Sequence, residues 1–240
     1  MTSPCARPTA DPELVAAIAD RAREISARIQ AARCAHGLPA DGATVVAVSK
    51  SQSEARIAAA LQAGLRVFGE NRLQEAQARW AAIKQEIPDL VLHFVGRLQS
   101  NKVADVVALF DVIHSIDREK LIPPLVRAIA RSGRTPELLV QVNTGCEPQK
   151  GGVLPDALAR LLDALDEAGL PVAGLMCVPP MHDEPALHFA FLKELARRHG
   201  LAKLSMGMSG DYEIAAACGA HYLRIGTALF GPRIQPANRK

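Results

Sequence analysis

Aromatic residues are scarce in this chain. They make up only 4% of its 240 residues, as one Trp, two Tyr and six Phe, so any core must be assembled from Ala, Val, Leu and Ile. A hydrophobic content of 49% makes such a core large, and the length suits either one α/β barrel or two smaller domains. The sequence also lacks any run of Lys or Arg and any basic stripe interleaved with aromatics. With a net charge of only +3 and a pI near 8.7, nucleic acid is not an expected partner, whereas a small anionic ligand suits the charge. The five cysteines stand at 5, 34, 146, 177 and 218, with no C-x-x-C pair and no His/Cys cluster at metal-ligand spacing, which argues against a zinc site or a disulfide framework. No segment reaches the length of a membrane span, and the opening MTSPCARPTADPE has no apolar stretch of the secretory kind. A cytoplasmic protein with no membrane partner is expected.

What the sequence does have is rhythm. Residues 1–10 read as a disordered tail, and residues 11–240 as a single domain. Asp11-Pro12-Glu13 opens a helix with Pro in its first turn, running to Cys34 with Leu14, Ile18, Ala22, Ile25 and Ile29 on one stripe. Strands are then expected at 44–49, 66–69, 91–96, 112–116, 138–143, 172–178, 203–208 and 222–226. Helices are expected at 53–63, 72–86, 100–109, 117–131, 154–168, 183–199 and 211–218, with a short one after 227. Gly64, Pro88, Gly133, Gly169, Gly200 and Gly219 punctuate the helix ends. Eight such units in about 200 residues favour a single (β/α)8 TIM-type barrel over an open sheet, with the additional N-terminal helix plugging or flanking the barrel's bottom.

A barrel gathers its chemistry at the carboxyl ends of its strands and holds phosphate after strands seven and eight. The first strand, VVAVS, ends at Lys50, which is either a solvated strand terminus or a reactive amine. Other strand ends carry Glu70-Asn71, His93, His114-Ser115, Asn143 and Met176-Cys177. After the seventh strand, Ser209-Gly210-Asp211 opens a helix. After the eighth, Arg224-Ile225-Gly226-Thr227 supplies a glycine, a hydroxyl and backbone donors. These two segments form either a phosphate cradle or an ordinary helix cap and an ordinary turn. An amine, a phosphate cradle and a neighbouring arginine together suit pyridoxal 5′-phosphate, which carries both an aldehyde and a phosphate.

At this level of detail the chain closely resembles the pyridoxal phosphate homeostasis proteins, single-domain relatives of the alanine racemase barrel. The matching stretches are VAVSK (46–50), FGENRLQEA (68–76), HFVGRLQSNK (93–102), HSID (114–117), QVNTGCEPQKGGV (141–153), GLMCVPP (174–180), LSMGMSGD (204–211) and RIGTALFGPR (224–233). The resemblance implies that Lys50 holds the cofactor as a Schiff base. It implies that Ser209, Gly226 and Thr227 bind the phosphate, that Arg224 faces the pyridine nitrogen, and that Asn71 and His93 lie near the cofactor. Arg72 and Arg97 depart from the Tyr and Pro common in the family at the site entrance. Glu70 reads as a structural hydrogen-bond partner, Cys177 as a buried small hydrophobe, and Lys150-Gly151-Gly152 as either a ligand-reaching or a solvated loop.

The implied role is vitamin B6 homeostasis, with apo pyridoxal-phosphate enzymes as possible recipients. The alternative is an amino-acid racemase. A monomer is expected, since the second domain that completes alanine racemase has no counterpart here.

Overall fold

The computed structural model describes residues 10–232. Except for Ala10, the expected tail lies outside them, as do Cys5 and residues 233–240. Eight parallel strands close a barrel in chain order: β1 (Thr44–Val48), β2 (Val67–Glu70), β3 (Val91–Phe94), β4 (Val112–Ile116), β5 (Glu137–Gln141), β6 (Val172–Met176), β7 (Lys203–Ser205) and β8 (Tyr222–Ile225). The last pairs with the first, setting Val46 opposite Arg224. Around them run α1 (Pro12–Ala35), α2 (Glu54–Gln62), α3 (Leu73–Glu86), α4 (Val103–Leu109), α5 (Ile122–Ser132), α6 (Leu158–Glu167), α7 (Pro185–Arg198), α8 (Tyr212–Ala217) and the four-residue α9 (Thr227–Phe230). Before α4, α5 and α6 stands a single 3-10 turn, so those helices begin a few residues later than their hydrophobic pattern suggests.

The N-terminal helix does not sit under the barrel. A (β/α)8 ring needs a helix over the seam between β8 and β1, and α9 is too short to cover it. Helix α1 takes that place, packing on α8, α2 and α9 with Ile18, Ile25 and Ile29 buried. The buried Arg33 pins its far end, donating from Nε to Pro39 O at 2.7 Å and from Nη1 to Ala220 O at 2.9 Å.

Strand β7 stops three residues short of the expected 208. Gly207 has φ +88°, and a Cβ there would lie 2.5 Å from Ala215 Cβ, so only glycine makes this turn, which redirects the chain toward the mouth. The barrel interior is unusually polar. His93, His114, Ser205 and Arg224 are all buried within it, beneath the carboxyl-terminal mouth. Toward the amino-terminal end Tyr222 donates to Glu137 at 2.8 Å, and Lys203 pairs with the same carboxylate.

Candidate functional site

At the carboxyl-terminal mouth lies a cavity of about 440 Å³, bordered by Val48 at the end of β1 and Lys50 just after it, Asn71 after β2, Val95 and Gly96 after β3, Ser209 after β7, and Arg224, Gly226 and Thr227 at the end of β8. Six of the seven candidate residues therefore meet at one surface. The seventh, His93, does not line the cavity. It is the third residue of β3, 1% exposed, and its side chain lies within the barrel, 2.8 Å from His114. Strand alternation accounts for this: positions 93 and 95 share the inward face, and Val95, one layer higher, is the one that reaches the mouth.

Each wall of the cavity has a local cause. Lys50 follows the last residues of β1, and the next residue, Ser51, adopts φ +60°, a left-handed conformation uncommon outside glycine, which turns the chain sharply behind the lysine. Asn71 is held by a close backbone approach. A Cβ on Gly96 would lie 2.1 Å from Asn71 O, so glycine is required for the ends of β2 and β3 to close together. Beneath them the buried Glu70 accepts at Oε1 from Ser49 Oγ at 2.7 Å, Arg79 Nη1 at 2.8 Å and Trp80 Nε1 at 3.0 Å, which is the structural role expected for it.

Ser209 corrects a sequence-level expectation. It does not cap the helix that follows it. The residue at that cap is Asp211, whose Oδ1 closes the preceding turn by accepting from Met208 N. Ser209 Oγ instead reaches across to the start of α9, accepting from Gly226 N at 3.1 Å and Ala228 N at 3.2 Å, which leaves its O–H proton as a donor. Thr227, as the first residue of α9, has a backbone N–H with no acceptor inside the helix. At Gly226 a Cβ would meet nothing nearer than Val48 O at 3.5 Å, so the missing side chain leaves room on the cavity floor.

The electrostatics favour an anion. Lys50 and Arg224 border the cavity, and no carboxylate does so among its described lining residues. Arg224 is 5% exposed, and burial pulls its guanidinium below the ordinary value. Its Nη1 donates to Ser205 Oγ at 2.5 Å and its Nη2 to Cys177 O at 2.8 Å. Burial also pushes the Cys177 thiol up to about 12, which keeps it protonated and inert. Lys150 is anchored, donating to Pro179 O at 3.0 Å and pairing with Glu147. A smaller adjoining cavity of about 380 Å³ shares Asn71 and is bordered by Arg72, Arg97 and Lys102, with Arg72 also paired to Glu75. Among the described residues no group of His, Cys, Asp or Glu could hold a metal ion, and no helix is long and apolar enough to cross a membrane.

Sequence reasoning missed Ser205 and Gln52. Both are polar and buried, and the signal for Ser205 was present: it shares the inward face of β7 with Lys203, two residues earlier, just as Arg224 shares that of β8 with Tyr222.

Fold and site together define a parallel barrel with an amine and an anion-accepting floor at its carboxyl-terminal mouth. The chain belongs to the family described as alanine racemase, N-terminal domain, which matches residues 18–234. It is 42% identical over 226 residues to the pyridoxal phosphate homeostasis protein of Pseudomonas aeruginosa, covering 90% of this chain and 96% of that one. It is 37% identical over 224 residues to the protein of the same name from Aquifex aeolicus, covering 89% and 97%. Among solved structures, PipY of Synechococcus elongatus with PLP bound superposes with a TM-score of 0.76 at 37% identity, over 89% of this chain and all of that one.

Proposed function

We propose that this protein binds pyridoxal 5′-phosphate in the cavity at the barrel mouth and serves its homeostasis, buffering the free aldehyde and handing the cofactor to apo-enzymes. The observation that carries this reading is the meeting of Lys50, Arg224 and Ser209 with the first turn of α9 around one carboxylate-free cavity. The donor set fits the ligand in charge and size. A phosphate dianion would be met by the Ser209 hydroxyl, whose oxygen Gly226 N and Ala228 N hold in place, and by the backbone N–H and hydroxyl of Thr227, where a glycine keeps the floor open. The cofactor supplies an aldehyde able to condense with the Lys50 amine as a Schiff base. Arg224 would supply a fixed cation to orient the cofactor, and Val48 and Val95 would help exclude water from the cavity. The names of the curated relatives and the PLP-bound PipY structure support the assignment.

The test is direct. Protein purified with pyridoxal phosphate is expected to be yellow, and borohydride should fix the cofactor on the Lys50 peptide, while Lys50→Ala stays colourless and folded. A reduced adduct mapped by mass spectrometry to Lys102 or Lys150 instead would overturn the assignment of Lys50.

A further inference from the structure

The floor of the cavity continues downward as a hydrogen-bonded chain. Arg224 Nη1 donates to Ser205 Oγ, Ser205 Oγ lies 2.8 Å from His114 Nδ1, and His114 Nε2 lies 2.8 Å from His93 Nδ1. All four side chains are buried, at 5% exposure or less. The polarity of the chain follows from counting protons. Arginine has donors only, so the serine oxygen accepts from it. Among the described residues the one acceptor within reach of the Ser205 proton is His114 Nδ1, so that nitrogen is unprotonated and the proton of His114 sits on Nε2. His114 therefore donates to His93 Nδ1, and the His93 proton also sits on Nε2. Every hydrogen bond then points the same way, away from the cavity.

We propose that Ser205, His114 and His93 are positioning residues for Arg224, a buried one-way chain that fixes the guanidinium from below and presents its remaining N–H groups to the cavity. A barrel interior filled with branched apolar residues would pack as well, so the polar chain is explained by what it holds at its upper end. With two of its five N–H groups committed to Ser205 and Cys177 O, the fork cannot rotate, and its direction toward a ring in the cavity is set. Burial keeps both imidazoles neutral, pushing His93 down to about 3 and His114 well below its ordinary value, so the polarity does not reverse near neutrality. The contact with a pyridine ring rests on the function proposed above. The chain itself does not.

The experiment separates the two. In 15N-labelled protein without cofactor, histidine ring NMR, assigned with a His93→Gln variant, should show His93 and His114 as neutral Nε2–H tautomers. An Nδ1–H form or an imidazolium at either would overturn the chain. Three variants are then titrated with pyridoxal phosphate, after circular dichroism has shown native secondary structure: Ser205→Ala, His114→Leu, which fills the space without an acceptor, and His114→Asn, which keeps an acceptor near the Nδ1 position in a smaller side chain. Ser205→Ala and His114→Leu should bind about tenfold more weakly, the effect of one lost charge-assisted hydrogen bond, and shift the absorption band of the bound cofactor. His114→Asn should stay close to the parent. Parent-like affinity and spectrum for Ser205→Ala and His114→Leu, or an order following volume with Asn worse than Leu, would overturn the positioning role. A parent that takes up no pyridoxal phosphate would sink the proposed function and the ring contact together, leaving the tautomers to decide the chain.

Discussion

Ser49, directly after β1, donates a 2.7 Å hydrogen bond to Glu70 at the end of β2, and each of these residues immediately precedes one that lines the cavity, Lys50 and Asn71. Two strand ends are thus joined at the level where the site begins. The same carboxylate oxygen holds Arg79 from α3 and the indole of Trp80, so strand ends and outer helix share one anchor.

Loss of that anchor should be costly. Glu70→Ala would leave the buried Trp80 Nε1 without its acceptor while Arg79 keeps Glu54 and Gln52 O, so the loss should fall below the roughly 3–5 kcal/mol of a buried charge left with no partner. Glu70→Gln keeps an acceptor and should lose less. Urea unfolding of the two variants checks the order, and a Glu70→Ala protein within experimental error of the parent would show that the anchor is dispensable.

The floor of the cavity gives a second expectation. Replacing Ser209 by Ala would remove the proposed side-chain donor to phosphate along with the acceptor for Gly226 N and Ala228 N; one hydrogen bond to a charged group contributes about 1.5–3 kcal/mol, so affinity for pyridoxal phosphate should fall tenfold or more. Thr227→Val should cost less because its backbone N–H survives. Fluorescence titration measures both, and unchanged affinity for Ser209→Ala would remove the serine from the site.

Much of this architecture could be read in the sequence. The eight-fold alternation and the glycines closing several helices locate the barrel, and Gly133, Gly169 and Gly200 do adopt left-handed conformations at helix ends. Three features could not be read there because they depend on long-range geometry. The seat of α1 depends on α9 being too short to cover the β8–β1 seam. The role of Ser209 depends on a segment seventeen positions away, since a serine before a helix looks like a cap from local sequence alone. His93 marks the third: strand position gives the inward face but not the layer, and one layer separates the cavity from the chain below it.

Acid should loosen the fold through that chain. An unfolded histidine takes up a proton near pH 6.5, whereas burial lowers folded His93 to about 3 and His114 in the same direction. Between those values the unfolded chain binds more protons, so stability is present above pH 6.5 and is lost as pH falls toward 3. The slope is roughly 1.4 kcal/mol per pH unit for each such histidine. Urea unfolding between pH 7 and pH 5 should therefore steepen toward acid, and His114→Leu should flatten the curve. An identical slope in that variant would mean that the histidine is not the group titrating.

Racemisation requires a proton to leave Cα on one face and return on the other, which takes two bases. Lys50 could be one. In described residues the second has no tyrosine to draw on: Tyr222 is committed to Glu137 and Lys203 toward the other end of the barrel, and Tyr212 begins α8 without lining the cavity. In the proposed binding mode Arg224 works in the same direction, since a buried guanidinium beside a pyridine nitrogen would disfavour its protonation and make the ring a poorer acceptor of carbanion charge. The expectation is a protein that holds and releases its cofactor without turning over amino acids. Holo-protein incubated with L-amino acids in deuterated water should show no Cα exchange at enzyme-like rates by NMR, while an apo-enzyme added to it should regain activity. Rapid exchange with formation of D-isomers, abolished in Lys50→Ala, would instead make the protein a racemase and locate its second base among groups other than these two tyrosines.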